Sequence, residues 1–114
     1  MQAGTQIFLP GYESILPTVK SDVPNILVIE DTTFHCVQAY AENSSEKTAV
    51  LNFANAYSPG GGVLQGAMAQ EECLCRSSNL YASLTLPYLI KNYYKWNSHN
   101  TAIWVQMLSS ILQG

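Results

Sequence analysis

Residues 51–72 decide the fold and have the sequence LNFANAYSPGGGVLQGAMAQEE. The short apolar run at 49–53 is typical of a buried strand. A proline and successive glycines at 59–62 then end that strand, because glycine adopts backbone conformations that other residues avoid. A helix follows, and its early residues include the carboxylates of Glu71 and Glu72. The stretch therefore predicts a strand, a glycine loop and a helix, in that order.

The glycine loop and the two carboxylates together indicate a phosphate-bearing sugar as the ligand. A loop that leads into a helix presents backbone N–H groups that suit a phosphate or a diphosphate. Carboxylates beside it are an unusual choice for holding an anion, but they suit a sugar that must be held or protonated. Glu71 and Glu72 point about 100° apart around a helix axis, so they cannot have the same role. The alternative is an ordinary acidic helix start that the helix dipole stabilises.

The spacing of these two motifs resembles the signature of the poly(ADP-ribose) glycohydrolases, in which GGG is followed six to eight residues later by QEE. Here residues 63–69 separate the two motifs. The segments NFAN at 52–55 and QEECLCRSS at 70–78 are similar to the shorter, microbial-type branch of that family. The resemblance is strongest over residues 49–84 and fades after Trp104. It implies an α/β protein with a three-layer α/β/α macrodomain-like fold, of which this chain contains an incomplete, N-terminal part.

The resemblance also implies an enzyme that hydrolyses the ribose–ribose O-glycosidic bonds of poly(ADP-ribose) and releases ADP-ribose, with no cofactor and no metal. Glycosidic cleavage needs a proton on the leaving oxygen, and Glu72 matches the family's general acid. The implied substrate-binding residues are Glu71 and Asn55 at the ribose, Gly60, Gly61 and Gly62 at the diphosphate, and Gln70 as a support. A helix start favours the ionised carboxylate, so burial and ligand charge must raise the pKa of Glu72.

A second interpretation stays open, which is a non-catalytic ADP-ribose-binding module or an inactive fragment. Relatives continue after Trp104 with further strands and a second ligand loop, and we expect a truncated chain to lack them. Codons can be chosen for residues 106–114 that encode, one base out of frame, a segment like the continuation in those relatives. An out-of-frame tail is therefore a hypothesis. The intact QEE motif at 70–72 favours descent from the enzyme.

Predicted elements surround the central stretch. A buried parallel strand at 25–29, a helix capped by Asp31 or Thr32 that runs to about Glu42, and a strand at 48–53 form a βαβ unit. One helix is expected at 65–84 and ends before Pro87, a second at 88–96, and a turn at 97–100. The expected divisions are residues 1–23 as the end of an N-terminal extension, 24–105 as a partial macrodomain-like glycohydrolase domain, and 106–114 as a divergent tail.

Composition narrows the partners of this 114-residue chain. Its net charge of −3 and scattered basic residues argue against direct nucleic-acid binding through a basic surface. No apolar run is long enough to span a membrane. The expected partner is poly(ADP-ribose) or ADP-ribose, in an intracellular compartment that is the cytoplasm or the nucleus. Cys36, Cys73 and Cys75 lack zinc-ligand spacing, and we expect them to be small buried thiols.

Overall fold

The computed structural model describes residues 4–8, 11–13, 18 and 23–100. The regular structure in this part is helical. It comprises, in chain order, α1 (Thr33–Asn43), a 3-10 turn (Val63–Gln65), α2 (Gln70–Ser77), α3 (Leu80–Leu84) and α4, which joins Pro87–Leu89, Ile90–Tyr94 and Lys95–His99. Helix α1 contacts α2, and α2 contacts both α3 and the 3-10 turn. The predicted N-terminal extension lies mostly outside the described residues, and the predicted tail lies wholly outside them.

The two predicted strands, at 25–29 and 48–53, have no regular structure, and the described residues contain no β-strand. A strand is defined by backbone hydrogen bonds to a neighbouring strand, and these segments are not paired in that way. Their apolar side chains are consequently exposed, with Ile26 at 83% and Val28 at 90%. The βαβ unit and the α/β/α layers therefore remain predictions, whereas the helix between the two segments is confirmed.

Helix α1 begins with a side-chain cap, as the sequence predicts. Thr32 is the capping residue, because its Oγ1 accepts a hydrogen bond from the N–H of His35 at 3.2 Å. Asp31, the alternative cap, instead accepts the N–H of Thr32 at 2.7 Å. Its Oδ2 lies 2.6 Å from Nδ1 of His35, and this contact lowers the pKa of Asp31. Both candidate residues thus help to fix the start of the helix.

The single helix predicted at 65–84 is wrong. Val63–Gln65 forms a separate 3-10 turn, and Gly66 leaves it in the left-handed conformation, with φ of +80°. Helix α2 starts after this break and ends before Ser78, whose φ of −150° is extended. The Oγ of Ser78 donates to the carbonyl oxygen of Leu74 at 2.7 Å. Such bonds from serine to the backbone compete with helix continuation, so the chain restarts as α3.

The helix predicted at 88–96 is confirmed, but it is longer than expected and occupies residues 87–99. Pro87 lies in its first turn, where the missing N–H costs no helical hydrogen bond. The turn predicted at 97–100 is wrong, because α4 continues to His99. None of the helices in the described residues is both long and apolar enough to cross a membrane.

The most buried side chains come from α2 and α4. Leu74 and Cys75 on α2, and Leu89 and Tyr94 on α4, are each at most 8% exposed. Their burial removes apolar surface from water, which is the main stabilising contribution available to a small domain. The prediction of buried thiols is confirmed for Cys75 alone: Cys73 is exposed, and Cys36 is half-buried.

Candidate functional site

The glycine loop starts with a turn that an asparagine side chain holds. Oδ1 of Asn55 accepts hydrogen bonds from the backbone N–H groups of Tyr57 and Ser58, both at 2.8 Å. The carbonyl oxygen of Ser58 then accepts the N–H of Gly61 at 3.0 Å. These bonds form an Asx-type turn of the kind that asparagine favours. The role expected of Asn55 at a ribose therefore involves a side chain that already shapes the loop.

Each of the glycines at 60–62 has a physical reason to be glycine. Gly60 and Gly61 have φ of +70° and +55°, a region that L side chains rarely adopt. A Cβ at Gly60 would lie 2.8 Å from Cδ2 of Tyr81, and one at Gly61 would collide with Oε1 of Glu72. Gly62 has an ordinary φ, but a Cβ there would lie 2.8 Å from that of Ala67. The loop thus lies directly against the carboxylate of Glu72 on α2.

Glu72 is in the first turn of α2 and is 7% exposed. Its Oε1 accepts the N–H of Gly62 at 2.9 Å. The hydrogen bonds from the backbone N–H groups of Gly62 and of Glu72 itself lower the pKa of this carboxyl, and the charge of Arg76 lowers it further, although burial opposes them. Arg76 is held nearby, because its Nη2 donates to the carbonyl oxygen of Val63 at 3.1 Å. The carboxylate is therefore ionised at neutral pH in the free protein.

Glu71 faces the other end of the same loop. It is 3% exposed, and its Oε2 accepts the N–H of Asn55 at 2.7 Å. Its Oε1 accepts a hydrogen bond from Nδ2 of Asn52 at 3.3 Å. Neighbouring positions on a helix point in different directions, and the two carboxylates accordingly hold opposite ends of the loop. Glu71 binds its start at Asn55, and Glu72 binds its end at Gly62.

Gln70 lies away from the glycines, beside residues 51–53. Its Nε2 donates to the carbonyl oxygen of Leu51 at 2.8 Å, and its Oε1 accepts the N–H of Phe53 at 2.8 Å. Nε2 also lies 3.3 Å from Oγ1 of Thr33, in the first turn of α1. Both polar atoms of the side chain are therefore engaged with protein. This arrangement suits a support for the site, and it leaves Gln70 further from the glycine loop than Glu71 or Glu72.

A hollow of about 420 Å³ adjoins the site on the Gln70 side. Its lining includes Asp31, Leu51 and Phe53, and the ring of Phe53 is 71% exposed. A space of this size is within the range that small ligands occupy. An aromatic ring and a carboxylate at its edge suit a flat heterocycle that carries hydrogen-bond donors.

Other buried ionisable groups near the carboxylates are neutral at neutral pH. Burial raises the pKa of the Cys75 thiol and of the Tyr94 hydroxyl, and the charge of Glu71 raises both further. Within the described part of the chain, no cluster of three or more His, Cys, Asp or Glu side chains could hold a metal ion. Around Glu72, the negative charge at the start of α2 is offset by backbone N–H groups and by Arg76.

Sequence reasoning missed two amides that belong to this site. Asn97, placed in a predicted turn, is 2% exposed on α4, and its Nδ2 donates to the carbonyl oxygen of Ala56 at 2.9 Å. Asn52, placed inside a predicted strand, donates to Glu71, while its buried Oδ1 has no hydrogen-bond partner among the described residues. The position of Asn52 three residues before Asn55 was a usable signal. Nothing in the local pattern around Asn97 pointed to the loop.

The chain matches a known protein family over most of its length. The family model described as microbial-type PARG, catalytic domain, matches residues 1–108, where PARG is poly(ADP-ribose) glycohydrolase. The match includes the glycine loop, the QEE motif and α4. No curated protein and no solved structure matches the chain.

Proposed function

The chain belongs to the microbial-type PARG catalytic-domain family, and we propose that it hydrolyses the ribose–ribose bonds of poly(ADP-ribose) and releases ADP-ribose. Family membership supports a glycohydrolase with poly(ADP-ribose) as the substrate class. The observation that best supports this reaction, with Glu72 as the acid, is the hydrogen bond from the N–H of Gly62 to the carboxylate of Glu72 at 2.9 Å. It joins a phosphate-suited loop and a candidate acid in one contact.

Glu72 must gain a proton before it can act as the general acid. In the free protein the N–H of Gly62 is the main cause of its low pKa. A diphosphate bound at the loop competes for that N–H group and brings negative charge close to the carboxylate, and both effects raise the pKa. Substrate binding would thus prepare Glu72 to protonate the leaving ribose oxygen. The resulting carboxylate would then accept a proton from the attacking water.

Glu71 and Asn55 are proposed to orient the ribose beside that bond. Glu71 is buried and accepts the N–H of Asn55 at 2.7 Å, so the two residues are held next to each other. A carboxylate next to a sugar hydroxyl strengthens its hydrogen bond, because one partner is charged. The hollow that Gln70 lines offers the base of the nucleoside a place beside the start of α2.

The test is release of ADP-ribose from poly(ADP-ribose) by the wild-type protein and by Glu72→Gln. General acid–base catalysis contributes roughly 10²- to 10⁴-fold, so we expect the variant to lose about that factor in kcat. Glu46→Gln is the matched control, because Glu46 is an exposed carboxylate outside both the glycine loop and α2. Equal rates for wild type and Glu72→Gln would rule out Glu72 as the acid.

The alternative is a module that binds ADP-ribose without cleaving its polymer. The lowered pKa of Glu72 favours it, because an ionised carboxylate has no proton to donate. Calorimetric titration of the folded protein with ADP-ribose distinguishes the outcomes. Heat of binding without release from the polymer would support the module, and absence of heat would leave an inactive fragment.

A further inference from the structure

Asn97 is a nearly inaccessible polar side chain in the last turn of α4, with 2% exposure. Burial of an amide is costly unless it is hydrogen-bonded. Its Nδ2 meets this requirement by donating to the carbonyl oxygen of Ala56 at 2.9 Å, across 41 positions of sequence. A long-range contact of this kind ties two distant segments together rather than stabilising one helix.

Ala56 occupies the middle of the Asx turn. The N–H before it, on Asn55, is held by Glu71 at 2.7 Å, and the N–H after it, on Tyr57, is held by Oδ1 of Asn55 at 2.8 Å. The bond from Asn97 fixes the carbonyl oxygen between these two N–H groups. The turn is therefore fixed from two helices, by Glu71 of α2 and by Asn97 of α4.

A π-helical segment explains how Asn97 faces the protein. The buried residues of α4 are Leu89, Tyr94 and Asn97, with spacings of five and then three. Five residues of α-helix would rotate Tyr94 about 140° away from Leu89. The segment Ile90–Tyr94 is instead π-helical, and its wider i→i+5 turn keeps Tyr94 on the buried face. Asn97 follows three residues later on that same face.

We infer that Asn97 is a positioning residue for the glycine loop. Through its hydrogen bond to Ala56, Asn97 holds the turn at residues 55–58 in its binding conformation. The consequence for substrate rests on the proposed function, because Asn55 is the proposed ribose contact. The predicted effect on the stability of the turn does not rest on the proposed function, since it follows from the hydrogen bonds alone. Helix α4 thereby contributes to the site through its contact with the turn.

The first experiment compares steady-state kinetics of Asn97→Ala and Asn92→Ala. Asn92 is the matched control, because it lies on the same helix and its Nδ2 donates only within that helix, to Tyr88 at 2.9 Å. We expect Asn97→Ala to raise KM about tenfold, the effect of roughly one lost buried hydrogen bond on ligand binding. The kcat should change by less than about twofold, since Glu72 is held by α2 and Gly62. Equal KM values for both variants would overturn the inference.

The second experiment measures hydrogen exchange at the amides of Tyr57 and Ser58, and it requires no activity. Asn97→Ala should accelerate both by about tenfold relative to Asn92→Ala, because the turn opens more often. Unchanged exchange overturns the inference even if wild type hydrolyses the polymer. Faster exchange supports it even if wild type neither binds nor cleaves, an outcome that would refute the proposed function alone.

A measurement on the wild-type protein covers the case in which Asn97→Ala does not fold. Exchange of the side-chain amide protons of Asn97 is compared with that of Asn92. The Asn92 side chain is less buried and makes a hydrogen bond within its own helix. We expect Asn97 to show the same opening free energy as the Tyr57 and Ser58 amides once intrinsic exchange rates are taken into account, because one opening event exposes all three. Exchange of Asn97 that is uncorrelated with those amides over a range of denaturant would overturn the inference.

Discussion

Glu72 combines two properties that usually oppose each other in a carboxyl group. It is 7% exposed, and burial alone would raise its pKa, yet the N–H of Gly62 lowers it. The resting state of the site is therefore a carboxylate stabilised by the loop that is proposed to hold the ligand. A change that removes the Gly62 hydrogen bond should therefore raise the pKa of Glu72 as well as affect ligand binding.

This charge has a consequence for stability against acid. Because the pKa of folded Glu72 lies below its ordinary value of 4.5, its ionised form stabilises the fold above that pH. This contribution is lost as the pH falls through the lowered value. We expect Glu72→Gln to lose less unfolding free energy than wild type between neutral pH and about pH 3. Urea denaturation at several pH values measures this, with Glu46→Gln as the control. A wild-type loss equal to that of Glu72→Gln would contradict the prediction.

Gly61 gives a second prediction about single residues, with a built-in comparison. Gly61 and Gly66 have φ of +55° and +80°, so alanine at either position is strained, by about 1–2 kcal/mol. A Cβ at Gly61 would collide with Oε1 of Glu72, whereas one at Gly66 would have open space. Both alanine variants should lose stability, but only Gly61→Ala should also lose most of the ADP-ribose release. Thermal unfolding and the release assay together test this, and similar activity in both variants would argue against it.

At the level of secondary-structure elements, Gln70 connects three separate parts of the chain. Its side chain bonds to the backbone at Leu51 and Phe53, and it lies 3.3 Å from Thr33 at the start of α1. The side chain of Gln70 thus makes hydrogen bonds to the backbone of residues 51–53 of the kind that a neighbouring β-strand would make. This contact also explains why the QEE motif begins with an amide, which can donate and accept at once.

Removal of that amide should loosen the connection among these elements. Gln70→Met keeps a similar length but loses both backbone hydrogen bonds, so we expect a loss of about 1–2 kcal/mol in unfolding free energy. Gln38→Met on α1 is the matched control, because the Gln38 side chain makes one exposed contact, to Glu42 at 3.3 Å. Chemical denaturation measures both variants. Equal stability of the two would show that the Gln70 contacts contribute little.

Across the molecule as a whole, local signals were predictable and long-range pairings were not. Patterns within a few residues predicted the Thr32 cap, helix α1 after it and most of helix α4. The break at Ser78 depends on one side chain bonding to Leu74, which competes with a strong helical pattern. The turn predicted at 97–100 was wrong because α4 continues to His99, with the Asn97 amide bonded to distant Ala56.

The candidate site shows the same division. The glycine loop, Asn55 and the two carboxylates could be identified from their spacing, because one short segment carries them all. The contact between Asn97 and Ala56 spans 41 residues, and its geometry depends on a π-helical segment that no pattern in the sequence revealed. Segments at 25–29 and 48–53 were recognised as apolar, but their pairing into a sheet is a property of distant contacts.

We expect the loop to discriminate against small anions, because two of its N–H groups already bond to carboxylates. The N–H groups of Asn55 and Gly62 already have carboxylate partners, at 2.7 Å and 2.9 Å. An orthophosphate ion that approaches these positions therefore meets like charge and must displace a bound group to gain a donor. A nucleotide sugar can compensate, because its hydroxyls offer the displaced carboxylates new partners. We therefore expect orthophosphate to compete only weakly with a nucleotide sugar for this loop.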